Sequence, residues 1–267
     1  MNTTRSRRFL ALLAATGLLA FAQPAAVRAD DPPSADPGQG FDVQADIALS
    51  SLQSLADGHL QKMADSMHLL AASDAARSAD WDRIKGPFAE LAKRNAAALN
   101  WFALPDGSYW SLQDGKEPGN LSGRDYFPRV LAGETVLGRL VYSTATGKPV
   151  AIVAVPVTGA DGSAVGVLGA SIYLDELSEV VRQQMGVGEG LIFYTFDHTG
   201  LVALVWDRDL VFFEPRKSGD EALARAFDDM LSAEQGAVTY TFRETERTVV
   251  FRTSPLTGWW YAFGVVR

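Results

Sequence analysis

Arg124-Asp125-Tyr126-Phe127 is the stretch of this 267-residue chain best equipped for chemistry. Asp125 as an N-cap, Pro128 in the first turn and Gly133 beyond the last together predict a short helix. Arg124 then stands beside a helix N-terminus, where backbone N–H groups and the dipole favour an anion. A guanidinium in that position can hold a carboxylate through two parallel hydrogen bonds. Tyr126 and Phe127 follow at once and offer aromatic walls with one hydroxyl. Tyr109 and Trp110 on a preceding strand, and Tyr142 with Ser143 on the next, supply further lining. On the strand expected over 165–174, alternation puts Ser171 and Tyr173 on one face and Leu168 and Ile172 on the other. The Ser171 face is the expected pocket side. Plainer roles stand beside these: Arg124 paired with Asp125 or Glu134, and the aromatics as ordinary core.

Other chemistries find little support. No Gly-x-Ser-x-Gly elbow occurs, and the chain has no Cys to act as a nucleophile. His59, His68 and His198 are scattered, and none sits in a metal-binding spacing. Gly186-x-Gly188-x-Gly190 lacks a strand before and a helix after it, so it reads as a hinge rather than a dinucleotide loop. Thr146-Gly147-Lys148 lacks the remainder of a phosphate loop and reads as a hairpin turn. Asp228-Asp229 fits a solvated helix surface. The expectation is a protein with no catalytic residue, no metal and no cofactor.

The elements that must position Arg124 begin after an N-terminal export signal. Arg5, Arg7 and Arg8 precede an apolar run over 9–22, and Val27-Arg28-Ala29 offers small residues for cleavage. That run is shorter than the roughly 20 residues a membrane span needs, and no Cys follows it to carry a lipid. Removing residues 1–29 takes away four Arg and no acid. The net charge then moves from −8 to −12, with 20 basic against 32 acidic residues. Such a balance disfavours nucleic acid and anionic membranes as partners. The expected location is periplasmic or secreted. An exported chain without disulfides has to be held by a core.

Residues 30–40 are rich in Pro, Asp and Gly and read as a linker. Over 41–98 the pattern is helical: Val43, Ile47, Leu52, Leu55, Leu60, Met63, Met67 and Leu70 recur mostly at three- and four-residue steps. So long an amphipathic helix needs a broad surface such as a sheet face. Trp81, Ile84, Phe88 and Leu91 continue the spacing, with Gly86-Pro87 read as a cap and a first-turn proline. A hairpin is expected about Pro105-Asp106-Gly107, a loop over 114–122, and strands over 136–143, 150–157 and 165–174. Asp175 is the expected cap of a connecting helix to Met185.

Residues 186–267 repeat this order: a hairpin about His198-Thr199-Gly200, a helix capped by Asp220, then three strands. Ile152-Val153-Ala154-Val155-Pro156 corresponds to Phe251-Arg252-Thr253-Ser254-Pro255. The expected fold is α+β, two PAS-like antiparallel-sheet units, 99–185 and 186–267, strung along one long N-terminal helix.

At Leu104–Trp110, Gly123-Arg124-Asp125-Tyr126-Phe127, 143–156 and 166–172 the chain resembles the double Cache family of extracytoplasmic sensor domains. Residues 236–242 and 254–265 match that family's membrane-proximal half. The resemblance implies ligand binding in the membrane-distal unit, 99–185, and signalling as part of a chemoreceptor or kinase. With no second span or output module in the sequence, the expectation is either a stand-alone periplasmic binding protein or one whose signalling partner is a separate, membrane-bound chain. Amino-acid-binding members share an Arg-x-Trp-Tyr run and an Asp on the closing strand that holds the ligand ammonium. Here the run ends in Tyr126-Phe127 and the strand position is Ser171, so an organic acid is favoured over an amino acid. The alternative is a ligand-free PAS-like module for dimerisation through the long helix or for docking to a membrane kinase or chemoreceptor. A hydrolase is a distant third.

Overall fold

The computed structural model describes residues 37–267. The expected signal peptide and the first residues of the expected linker lie outside the described residues. The first helix, α1 (Pro37–Ala71), starts inside that linker. Proline is tolerated there because the first helical N–H groups have no intrahelical acceptor. Leu49, Leu52, Ala56, Leu60, Met63, Ala64 and Met67 form its fully buried stripe.

Two shorter helices follow, α2 (Asp74–Arg77) and α3 (Trp81–Ala92). Asp80 caps α3 by accepting from the Asp82 N–H at 2.9 Å. The helix then runs straight through Gly86-Pro87, where the sequence predicts a boundary. Complete burial of Ile84 and Phe88 on either side outweighs the one backbone bond that Pro87 removes.

The first sheet is built from β1 (Ala98–Ala103), β2 (Ser108–Ser111) and β3 (Gly115–Asn120), then a short helix α4 (Phe127–Leu131). It is completed by β4 (Val136–Tyr142), β5 (Pro149–Thr158) and β6 (Ala164–Tyr173). All neighbours are antiparallel, in the order β3-β2-β1-β6-β5-β4. Strand β3 occupies the segment expected to be a loop; Pro118 sits in this edge strand, where a missing donor is tolerated. Along β5, residues 150–155 are buried without interruption, as a strand covered on both faces requires.

Helix α5 (Leu174–Met185) leads to the second sheet, made of β7 (Leu191–Phe196) and β8 (Val202–Val205). After α6 (Glu221–Leu231) come β9 (Gln235–Phe242), β10 (Thr245–Thr253) and β11 (Trp260–Val266). Asp175 does not cap α5. The helix already starts at Leu174, which places Asp175 within its first turn, and Arg208 donates to its carboxylate at 3.2 Å. Asp220 does cap α6, accepting from the Ala222 and Leu223 N–H groups. The order β8-β7-β11-β10-β9 reproduces β2-β1-β6-β5-β4 of the first sheet. The protein is thus the expected α+β arrangement of two PAS-like sheets with one long helix.

Helix α1 packs on β5 and β6 of the first sheet and on β10 and β11 of the second. Its Asp57 carboxylate accepts from Ser254 Oγ and from Tyr261 Oη, each at 2.6 Å. Burial, reinforced by the neighbouring Asp57 charge, pushes the Tyr261 phenol well above its ordinary value and keeps it a donor. Arg252 reaches the same helix through Asp46 and Ser50. A further tie joins the sheets directly: the Trp259 indole N–H donates to the Gly138 carbonyl at 3.0 Å. Gly138 has φ +77°, and a Cβ there would come within 3.0 Å of the Trp259 ring. Because both bonds to Asp57 end on a charge, Asp57→Ala is expected to cost about 2–4 kcal/mol in urea unfolding, with Asp57→Asn intermediate.

Candidate functional site

Strand pleating sorts the first sheet's side chains onto two faces. Phe102, Val153, Leu168, Ala170 and Ile172 turn toward α1, whereas Trp101, Tyr109, Val150, Ile152 and Val167 turn toward α4. The register of the β1–β2 hairpin pairs Ala103 with Tyr109 and Phe102 with Trp110. Tyr109 therefore belongs to the α4 face and Trp110 to the opposite one, where Lys116 stands 5.5 Å from its ring centre. Adjacent strand residues cannot share a face, so Trp110 is not part of a pocket with Tyr109.

A small space lies between the α4 face of the sheet and the segment 121–126. It is lined by Trp101, Tyr109, Arg124, Tyr126, Ser143 and Ser171, with Leu99, Leu121, Val141, Thr144 and Ile152 completing the walls. Five of the nine residues singled out from the sequence thus meet around one space: Tyr109, Arg124, Tyr126, Ser143 and Ser171. Phe127 is buried in the core beneath α4 and is not among the lining residues. Tyr142 points away and packs edge-on against Phe212 of the second unit, with ring centres 4.9 Å apart. Only its backbone joins the site, as the Tyr142 carbonyl accepts from Arg124 Nη2 at 3.1 Å. Tyr173 shares the face of Ser171 but lies outside the space, under the Lys148 ammonium.

The local reason for the Arg124 setting differs from the sequence reading. Tyr126, not Asp125, precedes α4, and no side chain caps that helix. Asp125 instead pairs with Arg139, and Glu134 pairs with Arg129. Both carboxylates proposed as structural partners of Arg124 are therefore occupied, and among the described residues no carboxylate pairs with it.

Trp101 was not singled out for the site, yet it forms the floor. Its indole lies flat on Gly169, where a Cβ would approach the ring to 2.1 Å, and its N–H donates to Ser171 Oγ at 3.2 Å. With Trp101 in place the open volume is about 10 Å³, room for about one water. Burial pushes the Tyr126 phenol well above its ordinary value. Burial also raises the Tyr109 phenol; a hydrogen bond with Thr144 opposes this and the Glu117 charge adds to it. Both phenols are donors at neutral pH. Glu117 was likewise unmarked: it is buried on β3, with Oε1 lacking any partner among the described residues.

One wall is a turn. Residues 144–148 between β4 and β5 are exposed, and the turn is held by the bonds Gly147 N–H to Ser143 O and Ser143 N–H to Lys148 O. A wider groove of about 440 Å³ runs between α1, α5 and β11, but no charged residue lines it. Among the described residues no group of three His, Asp or Glu could hold a metal ion. Nor is any described helix long and apolar enough to cross a membrane.

The sequence model of the Cache domain matches residues 42–267, and the chain belongs to that family. Its fold is similar to the ligand-binding domain of the Pseudomonas fluorescens chemoreceptor CtaA, solved in complex with L-alanine. That likeness has 16% identity, a TM-score of 0.62, and coverage of 87% of this chain and 98% of the other. The sensor domain of the Vibrio cholerae histidine kinase DctB is similar at 17% identity and TM-score 0.64, over 86% and 98% of the two chains. An extracellular ligand-binding receptor from Desulfohalobium retbaense gives 15% identity and TM-score 0.65 over 83% of this chain; the match spans 40% of that receptor. A comparison with curated proteins finds no match.

Gly169→Ala tests the placement of Trp101. The added methyl has no room beside the ring, so the indole must shift and lose its bond to Ser171. A loss of about 1–3 kcal/mol in urea unfolding is expected, with red-shifted tryptophan emission.

Proposed function

We propose that the chain is an extracytoplasmic sensor module that binds a small carboxylate-bearing solute against the α4 face of its first sheet. The observation that carries this reading is Arg124, a cation on the lining of a space rich in hydroxyls, with no carboxylate partner among the described residues. Its Nη2 is anchored on the Tyr142 carbonyl, which fixes the plane of the fork toward an incoming acid. Tyr109, Tyr126, Ser143 and Ser171 offer further hydrogen bonds. The open volume is too small for such a solute, so binding requires the exposed 144–148 turn to move outward. The module binds its ligand without transforming it, and a separate membrane-bound receptor or kinase reads the change.

Among carboxylates, an organic acid fits the immediate lining, which contains no acidic side chain for an ammonium. A second reading, an α-amino acid, is favoured by Glu117, whose buried, unpartnered Oε1 lies close enough to Tyr109 to influence its phenol. The complexes of CtaA with L-alanine and of the Campylobacter jejuni chemoreceptor Tlp3 with L-norvaline point the same way. The nearly filled sandwich, with Val43, Ile47 and Leu69 exposed on α1, is what a docking or dimerisation module would show instead.

A thermal-shift screen of organic acids and amino acids separates these readings. A ligand at a hundred times its dissociation constant adds about 2.7 kcal/mol, which moves the melting point by roughly 5–10 °C in a protein of this size. The expected result is a carboxylate whose shift vanishes in Arg124→Ala. If Glu117→Gln also abolishes it, the ligand carries an ammonium; if not, it is an organic acid. No shift across the library, with a melting point that rises with protein concentration, would replace the sensor reading by the interaction module.

A further inference from the structure

Each sheet has two edges, and three of these four edges are blunted against a further strand. Strand β3 carries Lys116, Glu117 and Pro118, and its pairing with β2 shifts register between Ser108 and Trp110. Strand β4 has an irregularity between Leu137 and Arg139, and the Trp259 indole occupies the Gly138 carbonyl there. Strand β8 is short and is covered by residues 212–213: the Val202 N–H donates to Phe213 O and the Phe212 N–H to Val202 O. Charge, proline, bulges and short length are the usual means of keeping an edge unpaired. Strand β9 has no charged residue and no proline, and it pairs with β10 along its whole length without a shift.

The hairpin fixes which groups of β9 point outward. Arg243 and Glu244 both have positive φ and form a two-residue turn, so the flanking pair Phe242–Thr245 is hydrogen-bonded. Tyr240–Arg247, Val238–Val249 and Gly236–Phe251 then bond in alternation, and the Thr253 N–H donating to Glu234 O continues the same phase. The N–H and C=O groups of Gln235, Ala237, Thr239 and Thr241 therefore point out of the sheet edge. All four residues are exposed, and among the described residues no backbone hydrogen bond reaches those groups.

We propose that β9 binds a second copy of this chain, pairing antiparallel with β9 of that copy so that the two second-unit sheets become one. The strand is complementary to itself. With the two-fold axis at Val238, Gln235 stands opposite Thr241 and Ala237 opposite Thr239, so the outward donors and acceptors of one strand meet those of the other. Uncharged side chains meet on one face, and Val238 meets its own counterpart on the other. Moving the axis to Thr239 would set Glu234 against Glu244, and moving it to Ala237 would leave Thr241 opposite Ala233, beyond the strand. One register is thus favoured for self-pairing, whereas a strand without charge offers nothing to select a foreign sequence. The interface is isologous and uses no residue of the first unit.

Sedimentation velocity on the full chain and oxidative cross-linking of single-cysteine variants test this. The chain has no Cys of its own, so a disulfide can only join two copies. Val238→Cys lies on the two-fold axis in a pair without backbone bonds, where Cα atoms come closest, and is expected to give a covalent dimer. Ile47→Cys, on the exposed side of α1, is the control and is expected to stay uncross-linked. The parent chain is expected to sediment as a dimer with rising concentration. Ala237→Lys combined with Thr239→Lys sets lysines of the two copies against each other and is expected to weaken association at least about tenfold. Both positions are exposed, so the double variant is expected to fold; if it does not, the Val238→Cys cross-link decides. A monomer at concentrations up to about 1 mM would overturn the proposal. So would cross-linking at position 47 as fast as at 238, or a dimer indifferent to the two lysines.

Discussion

One helix has to satisfy two sheets at once, and the rest of the structure depends on that constraint. The stripe of α1 from Leu49 to Met67 is buried, and strands of both sheets pack on that helix. Each PAS-like sheet turns one face toward α1, which covers it together with α3 on the first sheet and α5 on the second. Apolar burial supplies the bulk of the attraction but has no direction. Asp57 supplies the register, because its carboxylate must meet Ser254 and Tyr261 of the second unit while the neighbouring stripe sits on the first. Trp259 on Gly138 closes the same joint from the other side. A shift at one sheet therefore cannot be absorbed locally, since α1 and the Trp259 contact are shared.

The two units treat their arginines in opposite ways. Arg124 is half-exposed, anchored by one backbone carbonyl and surrounded by hydroxyls, so it can take up or release an anion at little desolvation cost. Arg247 is enclosed by aromatic rings and has unmet hydrogen-bonding capacity. The first arrangement suits a site that opens and closes through an exposed turn. In the second, the walls are core side chains. Trp101 keeps the first space small by lying on Gly169, a contact that only a residue without a Cβ allows.

Much of this was legible before any coordinates. The repeat of hairpin, helix and three strands, the stripe on α1 and the apolar run of β5 each follow from periodicity, and the duplicated sheet order agrees with them. The candidate site was legible only in part. Residue type and strand alternation single out Arg124, Tyr126 and Ser171, which the structure brings to one space. Trp110 was misplaced although the hairpin centre at Asp106 already pairs it with Phe102 and so assigns its face. The same register points to Trp101, on the side of Tyr109. Glu117 was hidden because β3 carries Gly115, Pro118 and Gly119 and reads as a loop. The helix through Gly86-Pro87 was missed because burial of Ile84 and Phe88 overrode a local rule. The unpaired state of Arg247 depends on which acids fail to reach it, and no pattern in one sequence reports that.

Hydrogen–deuterium exchange tests the central claim most directly, measured with and without the carboxylate that gives the largest melting shift. If the ligand sits on Arg124 behind a mobile turn, amides of residues 121–126 and 143–148 become protected on binding, and Arg124→Ala removes that protection. Protection confined to other segments, or protection at this turn that survives Arg124→Ala, would contradict it.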